Sequence, residues 1–242
     1  MLALLDLLDA LQLGGALKKI RKVFKKRLDA FDDLRDTQVE RRLLHPLWGD
    51  FPEARPVRKW LERREEALVV QVQREVEAAE SRDLKRRLKI LDADLSSPQP
   101  GYPRARQRAA AAAALMDAYS KVARLREAVR ADHAPTIHKL RIAFKRYRYM
   151  SELLSPFFAE FTPKRLRRMH DFQGAAGSIQ DLEVLLTHLE LATAGGELDD
   201  RVTRRLRSHL ARLRQDAIEA FVAQLDELAT FRPAAPKRNA PL

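Results

Sequence analysis

The chain has 242 residues, 45% of them hydrophobic, and carries a formal net charge of +12. This length and apolar content allow a folded core and exclude a disordered basic tail. Because the sequence contains no cysteine, disulfides, thiolate metal sites and cysteine nucleophiles are excluded. The excess of lysine and arginine predicts a polyanionic partner, which could be nucleic acid, an acidic membrane surface or a chain of phosphates.

Glycine and proline divide the sequence into long helical segments, and no segment indicates a strand. The N-terminal segment predicts an amphipathic helix that ends at Gly14-Gly15, and its two aspartates argue against a signal peptide. No window reaches the ~20 apolar residues of a membrane span, so we expect a cytoplasmic protein. Further helices are predicted at about 16–44, 57–95 with a break near Ser81, 104–131, 135–155, 163–191 and 198–231.

The helix predicted at 135–155 has one apolar face and one cationic face. The cationic face holds residues spaced at i, i+3, i+7 and i+10, namely His138, Arg141, Lys145 and Arg148. At about 100° per residue they fall within a sector of about 80°. No acid lies between positions 138 and 149, so this face suits a negatively charged polymer. His138 taken alone could instead be a core histidine or a helix cap.

Two further clusters of cations occur at the starts of predicted helices. One comprises Lys18, Arg21, Lys22 and Lys25, within a run of ten residues of which seven are cationic, and the other comprises Lys164, Arg167 and Arg168. Like charges at i,i+4 destabilise a helix by roughly 0.2–0.5 kcal/mol per pair, so repeated clusters indicate a function. Arginine offers phosphate oxygens a bidentate fork, and lysine offers a mobile point charge. For any single cluster, a solvated helix face remains the alternative.

A weak internal repeat relates the two halves of the chain. Residues 34–44 (LRDTQVERRLL) resemble residues 179–189 (IQDLEVLLTHL), which places Asp36 over Asp181. At this offset a counterpart of His138 would fall before residue 1. We therefore expect the first half to lack its own cationic helix except for the end of that helix, at 2–13, in a truncated or divergent protein.

No motif in the sequence indicates catalysis, because the HExxH, P-loop and GxGxxG patterns are all absent. The acids Asp32, Asp33 and Asp36 would need metal-binding partners from elsewhere, and the sequence predicts none. We therefore expect a protein that is not an enzyme and has no catalytic residues, no metal and no cofactor.

Two segments, HKLRIAFKRYRYMSELL and KRLRRMHDFQGAAGSIQDLEVL, resemble the second half of a CHAD domain, the conserved-histidine α-helical domain. In that family a helix that begins with histidine carries spaced lysines and arginines, and the next helix carries basic residues, a glycine and an aspartate. The matching residues are His138, Arg141, Lys145, Arg146 and Arg148, then Lys164, Arg167, Arg168, Gly177 and Asp181. The segment LRDTQV, which contains Asp36, resembles the equivalent part of the family's first half.

The resemblance covers the chain up to about residue 231, and we expect one domain at 1–232. Within it, the proline-rich, uncharged segment at 96–103 predicts a linker between an N-terminal half at 1–95 and a C-terminal half at 104–232. The composition of residues 233–242 predicts a disordered tail. The implied fold is all-α, with two antiparallel four-helix bundles related by pseudo-twofold symmetry around a basic central groove. Some relatives are fused to a triphosphatase domain with an ExExK motif, which this sequence lacks, so no catalytic role is implied.

The resemblance also implies binding of inorganic polyphosphate and association with polyphosphate granules in bacteria. The expected polyphosphate-binding residues are Lys18, Arg21, Lys22, Lys25, His138, Arg141, Lys145, Arg148, Lys164, Arg167 and Arg168. Two alternatives use the same cations: a protein that binds the RNA or DNA backbone, and a scaffold for an acidic protein partner. The aromatic residues nearest the clusters, Phe24, Phe144 and Tyr147, face the core by periodicity, which disfavours base stacking.

Overall fold

The computed structural model describes residues 2–11, 17–78, 81–96 and 104–234 of the chain. Within these ranges all regular secondary structure is helical, which confirms the all-α prediction. The α-helices are α1 (Leu2–Ala10), α2 (Leu17–Leu44), α3 (Arg55–Ala78), α4 (Ser81–Ser96), α5 (Arg104–Glu127), α6 (Ala134–Leu154), α7 (Pro163–Ala194) and α8 (Asp200–Ala223). Short 3-10 segments occupy His45–Leu47, Pro52–Ala54 and Leu225–Phe231. None of the described helices is long and apolar enough to cross a membrane.

Several helix ends follow the breakers in the sequence. Helix α2 ends at Leu44, directly before the predicted stop at His45-Pro46, because proline cannot donate a backbone hydrogen bond. The break expected near Ser81 separates α3 from α4. Gly196 has a φ of 77°, a left-handed conformation that costs glycine little, and the chain leaves α7 there. The predicted end at Gly14-Gly15, the linker beyond Ser96 and the tail beyond residue 234 lie outside the described residues.

The last predicted helix, at 198–231, was wrong in its final quarter. Helix α8 ends at Ala223, and Leu225–Phe231 forms a 3-10 segment. Side chains of other helices donate hydrogen bonds to carbonyl oxygens of this segment. Tyr119 donates to Leu228 (3.1 Å), Arg126 donates to Leu225 (3.3 Å), and Tyr147 donates to Phe231. These tertiary donors favour the tighter turn, and a sequence pattern does not reveal them.

The structure divides into two compact units that do not coincide with the two sequence halves. Unit 1 contains Met1–Lys25, Ser81–Ala176 and Phe221–Leu242, and unit 2 contains Lys26–Glu80 and Gly177–Ala220. Helices α2 and α7 therefore each contribute their N-terminal part to unit 1 and their C-terminal part to unit 2. The two four-helix bundles, their pseudo-twofold symmetry and the central groove remain predictions.

The core of unit 1 has an aliphatic part and an aromatic part. Leucines of α1 and α4 pack around Leu17 and Ile20 of α2. Helix α6 supplies Phe144. Its ring centroid lies 4.9 Å from that of Phe172 of α7 and 5.7 Å from that of Phe231. Buried apolar side chains thus fix the orientation of α2, α6 and the start of α7, the helices that carry the predicted cations.

Unit 2 has its own core, built between α3, α7 and α8. Trp60 and Leu61 of α3 pack against leucines of α7 that include Leu185 and Leu189. The indole of Trp60 also donates a 2.9 Å hydrogen bond to the Glu197 carboxylate.

Candidate polyanion-binding surface

All eleven cations predicted to bind phosphate lie in unit 1. They come from three helices: the start of α2, the middle of α6 and the start of α7. The exposed and half-buried members of this set are together called the cationic surface below. Its residues differ in exposure and in whether they already form an ion pair with an acidic side chain of the protein.

The α2 cluster supplies exposed lysines because the same turns bury apolar residues on the opposite face. Leu17 and Ile20 are 4% and 0% exposed, and Phe24 is half-buried against the same core. Lys18, Lys22 and Lys25 are exposed and have no hydrogen-bonded or ion-paired partner among the described residues. These three lysines can therefore meet an external anion without first breaking an internal ion pair.

Arg21 of the same cluster is bound to an acid on another helix. Its guanidinium pairs with Asp6 of α1, whose side chain is only 4% exposed. The other oxygen of Asp6 lies 2.8 Å from Nε of Arg146 on α6. One buried carboxylate thus joins the cationic start of α2 to the cationic part of α6.

On α6 the predicted stripe lies at the border between the buried and exposed faces. Its apolar side is buried as predicted, with Phe144 and Tyr147 at 1% and 0% exposure. His138, Arg141 and Lys145 are half-buried, and each engages other groups of the protein. These three side chains are therefore only partly accessible to an external anion.

Arg148 does not continue this stripe on the surface. Its side chain is 7% exposed; Nε donates a 2.7 Å hydrogen bond to the Gln173 side chain, and the guanidinium pairs with Glu152. Glu152 lies one turn further along α6, just beyond the acid-free stretch at 138–149. This burial disfavours the predicted role of Arg148 as a direct phosphate ligand, and its contacts give it a structural role in which it joins α6 to α7.

The α7 cluster contains two cations without an ion-paired partner among the described residues and one cation that forms an ion pair. Lys164 and Arg167 are exposed and have no ion-paired partner within the described residues. The Arg168 guanidinium instead contacts Glu227 at 2.7 Å, donates to the Thr230 hydroxyl at 3.2 Å and lies 5.5 Å from the Phe231 ring centroid. Arg168 therefore holds the 3-10 segment after α8 and is 46% exposed at the same time.

The sequence model of the CHAD domain family matches residues 1–190 of the chain. The chain belongs to the CHAD family. All three cationic clusters lie within the matched residues, whereas the 3-10 segment Leu225–Phe231 lies beyond them. No curated protein and no solved structure gives a match to the chain.

The acids that organise the cationic surface of this CHAD chain escaped the sequence analysis. Glu152 had a recognisable signal, because it follows Arg148 at i+4 and such pairs meet on one helix face. Asp6 had a weaker signal, as a lone charge between leucines in an amphipathic helix. Glu227 had none, because its contact with Arg168 depends on the fold of the chain after α8.

In unit 2 of the CHAD chain, the two aspartates aligned by the internal repeat interact with each other. Burial raises the pKa of Asp36, and the negative charges of Asp32, Glu40 and Asp181 raise it further, while Arg35 lowers it. Within the described residues, no group of three or more histidine or acidic side chains is arranged to hold a metal ion.

Proposed function

We propose that this CHAD chain binds inorganic polyphosphate through the cationic surface of unit 1, without catalysing a reaction on it. The observation that carries this proposal is the set of exposed cations without an acidic partner among the described residues, namely Lys18, Lys22, Lys25, Lys164 and Arg167. All five belong to one compact unit with a buried core. The folded core supports them as a fixed array rather than a flexible basic tail.

An array of this kind suits a linear polyanion for a physical reason. Each cation that neutralises a phosphate releases condensed counterions, so several contacts add up to a strong and salt-dependent affinity. Lysines tolerate different phosphate positions because the ammonium group is a mobile point charge. The half-buried Arg141 and Lys145 would add contacts along the edge of α6. We further propose that the protein associates with polyphosphate granules.

A second candidate function, binding of single-stranded nucleic acid, has one specific observation in its favour. Tyr149 is 38% exposed on α6, although Phe144 and Tyr147 of the same helix are buried. An exposed aromatic ring beside cations can stack on a base. The Arg148 guanidinium, however, lies 4.3 Å from the centroid of this ring and occupies one of its faces. A base could stack only on the other face, so we place this function second.

The deciding experiment is a competition measured at fixed salt. Labelled polyphosphate is bound to the protein, and unlabelled polyphosphate, single-stranded RNA, DNA or polyglutamate is added at equal total charge. We expect unlabelled polyphosphate to displace the label at the lowest concentration. Stronger displacement by RNA or DNA would favour the nucleic-acid function, and stronger displacement by polyglutamate would favour a scaffold for an acidic protein. Release of orthophosphate from the bound chain would contradict the non-catalytic role.

The location of the site is tested by a pair of variants with equal charge change. Lys164→Glu with Arg167→Glu alters the cationic surface, and Arg63→Glu with Arg74→Glu alters exposed, unpaired cations of α3 in unit 2. We expect the first pair to weaken polyphosphate binding much more than the second. Equal weakening by both pairs would mean that the net charge of the chain determines affinity, without a defined site.

A further inference from the structure

Asp6 is a buried acidic residue that contacts arginines of two of the cationic helices. Helix α1 is otherwise apolar from Leu2 to Leu8, and the Asp6 side chain is 4% exposed. A buried carboxylate is costly unless charged or hydrogen-bonding partners compensate it. Asp6 has two such partners from two different helices, Arg21 of α2 and Arg146 of α6.

Both arginines retain donors for an external ligand. Arg21 is 46% exposed and Arg146 is 49% exposed, so part of each side chain faces solvent. A guanidinium has five N–H donors in a planar fork. The contacts to Asp6 are made through Nη1 of Arg21 and Nε of Arg146. Neither arginine has another acidic partner in the part of the chain that the structure describes.

The carboxylate also explains how two cations can remain so close together. Arg21 neighbours Lys22 in sequence, and Arg146 neighbours Lys145, so positive charge is dense on both helices. Without a shared anion the two guanidiniums would repel each other and separate. With Asp6 between them, two positive charges face one negative charge, and the local charge stays positive.

We propose that Asp6 is a positioning residue of the polyphosphate site, which holds the Arg21 and Arg146 guanidiniums ready to engage phosphates of one chain. This inference rests on the proposed function. Fixing a long side chain in advance removes part of the entropy cost of binding. For two arginines we expect a gain in affinity of about tenfold.

The test compares Asp6→Asn with Asp9→Asn, a control on the same helix. Asp9 is exposed and has no partner within the described residues. We expect Asp6→Asn to bind polyphosphate about tenfold more weakly and Asp9→Asn to bind at least as well as the original chain. The sign of the change in affinity distinguishes the two explanations. If net charge alone determined affinity, removal of a negative charge would strengthen polyphosphate binding. Equal or tighter binding by Asp6→Asn would show that Asp6 competes with phosphate, and the inference would be overturned.

A second variant covers the case in which Asp6→Asn loses α1. Arg146→Gln removes one partner of Asp6 and keeps Arg21 as the other, and circular dichroism is used to check that the helices are retained. We expect it to weaken binding severalfold; unchanged affinity would overturn the inference. Where both variants fold, Asp6→Asn with Arg146→Gln should bind no more weakly than the product of the single effects predicts. If the original chain itself fails to bind polyphosphate, the proposed function fails; if it binds and Asp6→Asn binds equally well, only this inference fails.

Discussion

The three exposed lysines of α2 give the proposed function a quantitative test. Lys18, Lys22 and Lys25 have no partner among the described residues, so each is available to neutralise a phosphate. Their joint replacement by glutamine removes three charges and leaves Leu17 and Ile20 in the core. The prediction concerns the slope of the logarithm of the binding constant against the logarithm of the salt concentration.

The size of the effect follows from counterion release. Each contact of a cation with a single-stranded polyanion contributes about 0.7 to the slope, so the variant should be shallower by about 2. If the two proteins bind equally at about 1 M salt, the variant should bind about a hundredfold more weakly at about 0.1 M. Between about 50 and 200 mM salt, the original chain should lose close to twentyfold more affinity than the variant.

Fluorescence anisotropy of end-labelled polyphosphate, titrated at four salt concentrations, measures this slope. The matched control replaces Lys59, Arg63 and Arg74 by glutamine, because these exposed cations of α3 in unit 2 also lack partners in the described residues. A variant slope equal to that of the original chain would refute direct phosphate contacts by the lysines of α2. An equally reduced slope in the control would refute a site confined to unit 1.

Two further predictions concern the free energy of unfolding, measured by urea denaturation. Arg148→Met should lower it by roughly 1.5 kcal/mol, because the Gln173 side chain loses its charged donor, whereas Glu152 is 36% exposed and can be solvated; a loss no larger than that of an exposed Arg63→Met control would contradict its structural role. Burial raises the pKa of Asp36 above its ordinary 3.8, so the folded state binds the proton more tightly and ionisation at higher pH costs stability. Asp36→Asn should therefore be more stable than the original chain at pH 7, with the advantage shrinking as the pH falls toward 3.8; an advantage independent of pH would contradict this reasoning.

Helix existence and several helix ends could be predicted from the sequence because their causes are local. The stop at His45-Pro46 depends on the missing donor of proline, and the exit at Gly195-Gly196 depends on a residue that tolerates a positive φ. The buried face of α6 was equally local, since a period of 3.6 residues places Phe144 and Tyr147 on one side. The division into two units could not be predicted from local sequence, because α2 and α7 each contribute to both units.

The site was predicted less completely than the helices, because the spacing of residues in the sequence shows which helix face a cation lies on but not which acidic side chain it pairs with. Lys18, Lys22 and Lys25 are exposed as a simple helical wheel predicts. Arg148 lies at the edge of its stripe nearest the apolar face, and a small rotation of the helix suffices to bury it. The acid that joins Arg21 to Arg146 comes from α1, so no spacing within α2 or α6 could have revealed it.

Most of the predicted arginines and lysines differ in whether they pair with an acidic side chain of the protein. Arg21, Arg148 and Arg168 each pair with an internal carboxylate, whereas Arg167 and the lysines of α2 and α7 in the predicted set have no acidic partner within the described residues. The planar fork of arginine matches a carboxylate and can join two helices, while the hydrated ammonium of lysine gains little from a fixed partner. Arg21, Arg148 and Arg168 thus contribute to the shape of the proposed site, whereas the lysines and Arg167 contribute to its attraction for phosphate. A site of this composition selects ligands mainly by charge density. Inorganic polyphosphate has charged units without intervening sugars, and on this argument it should bind more tightly than RNA of equal charge.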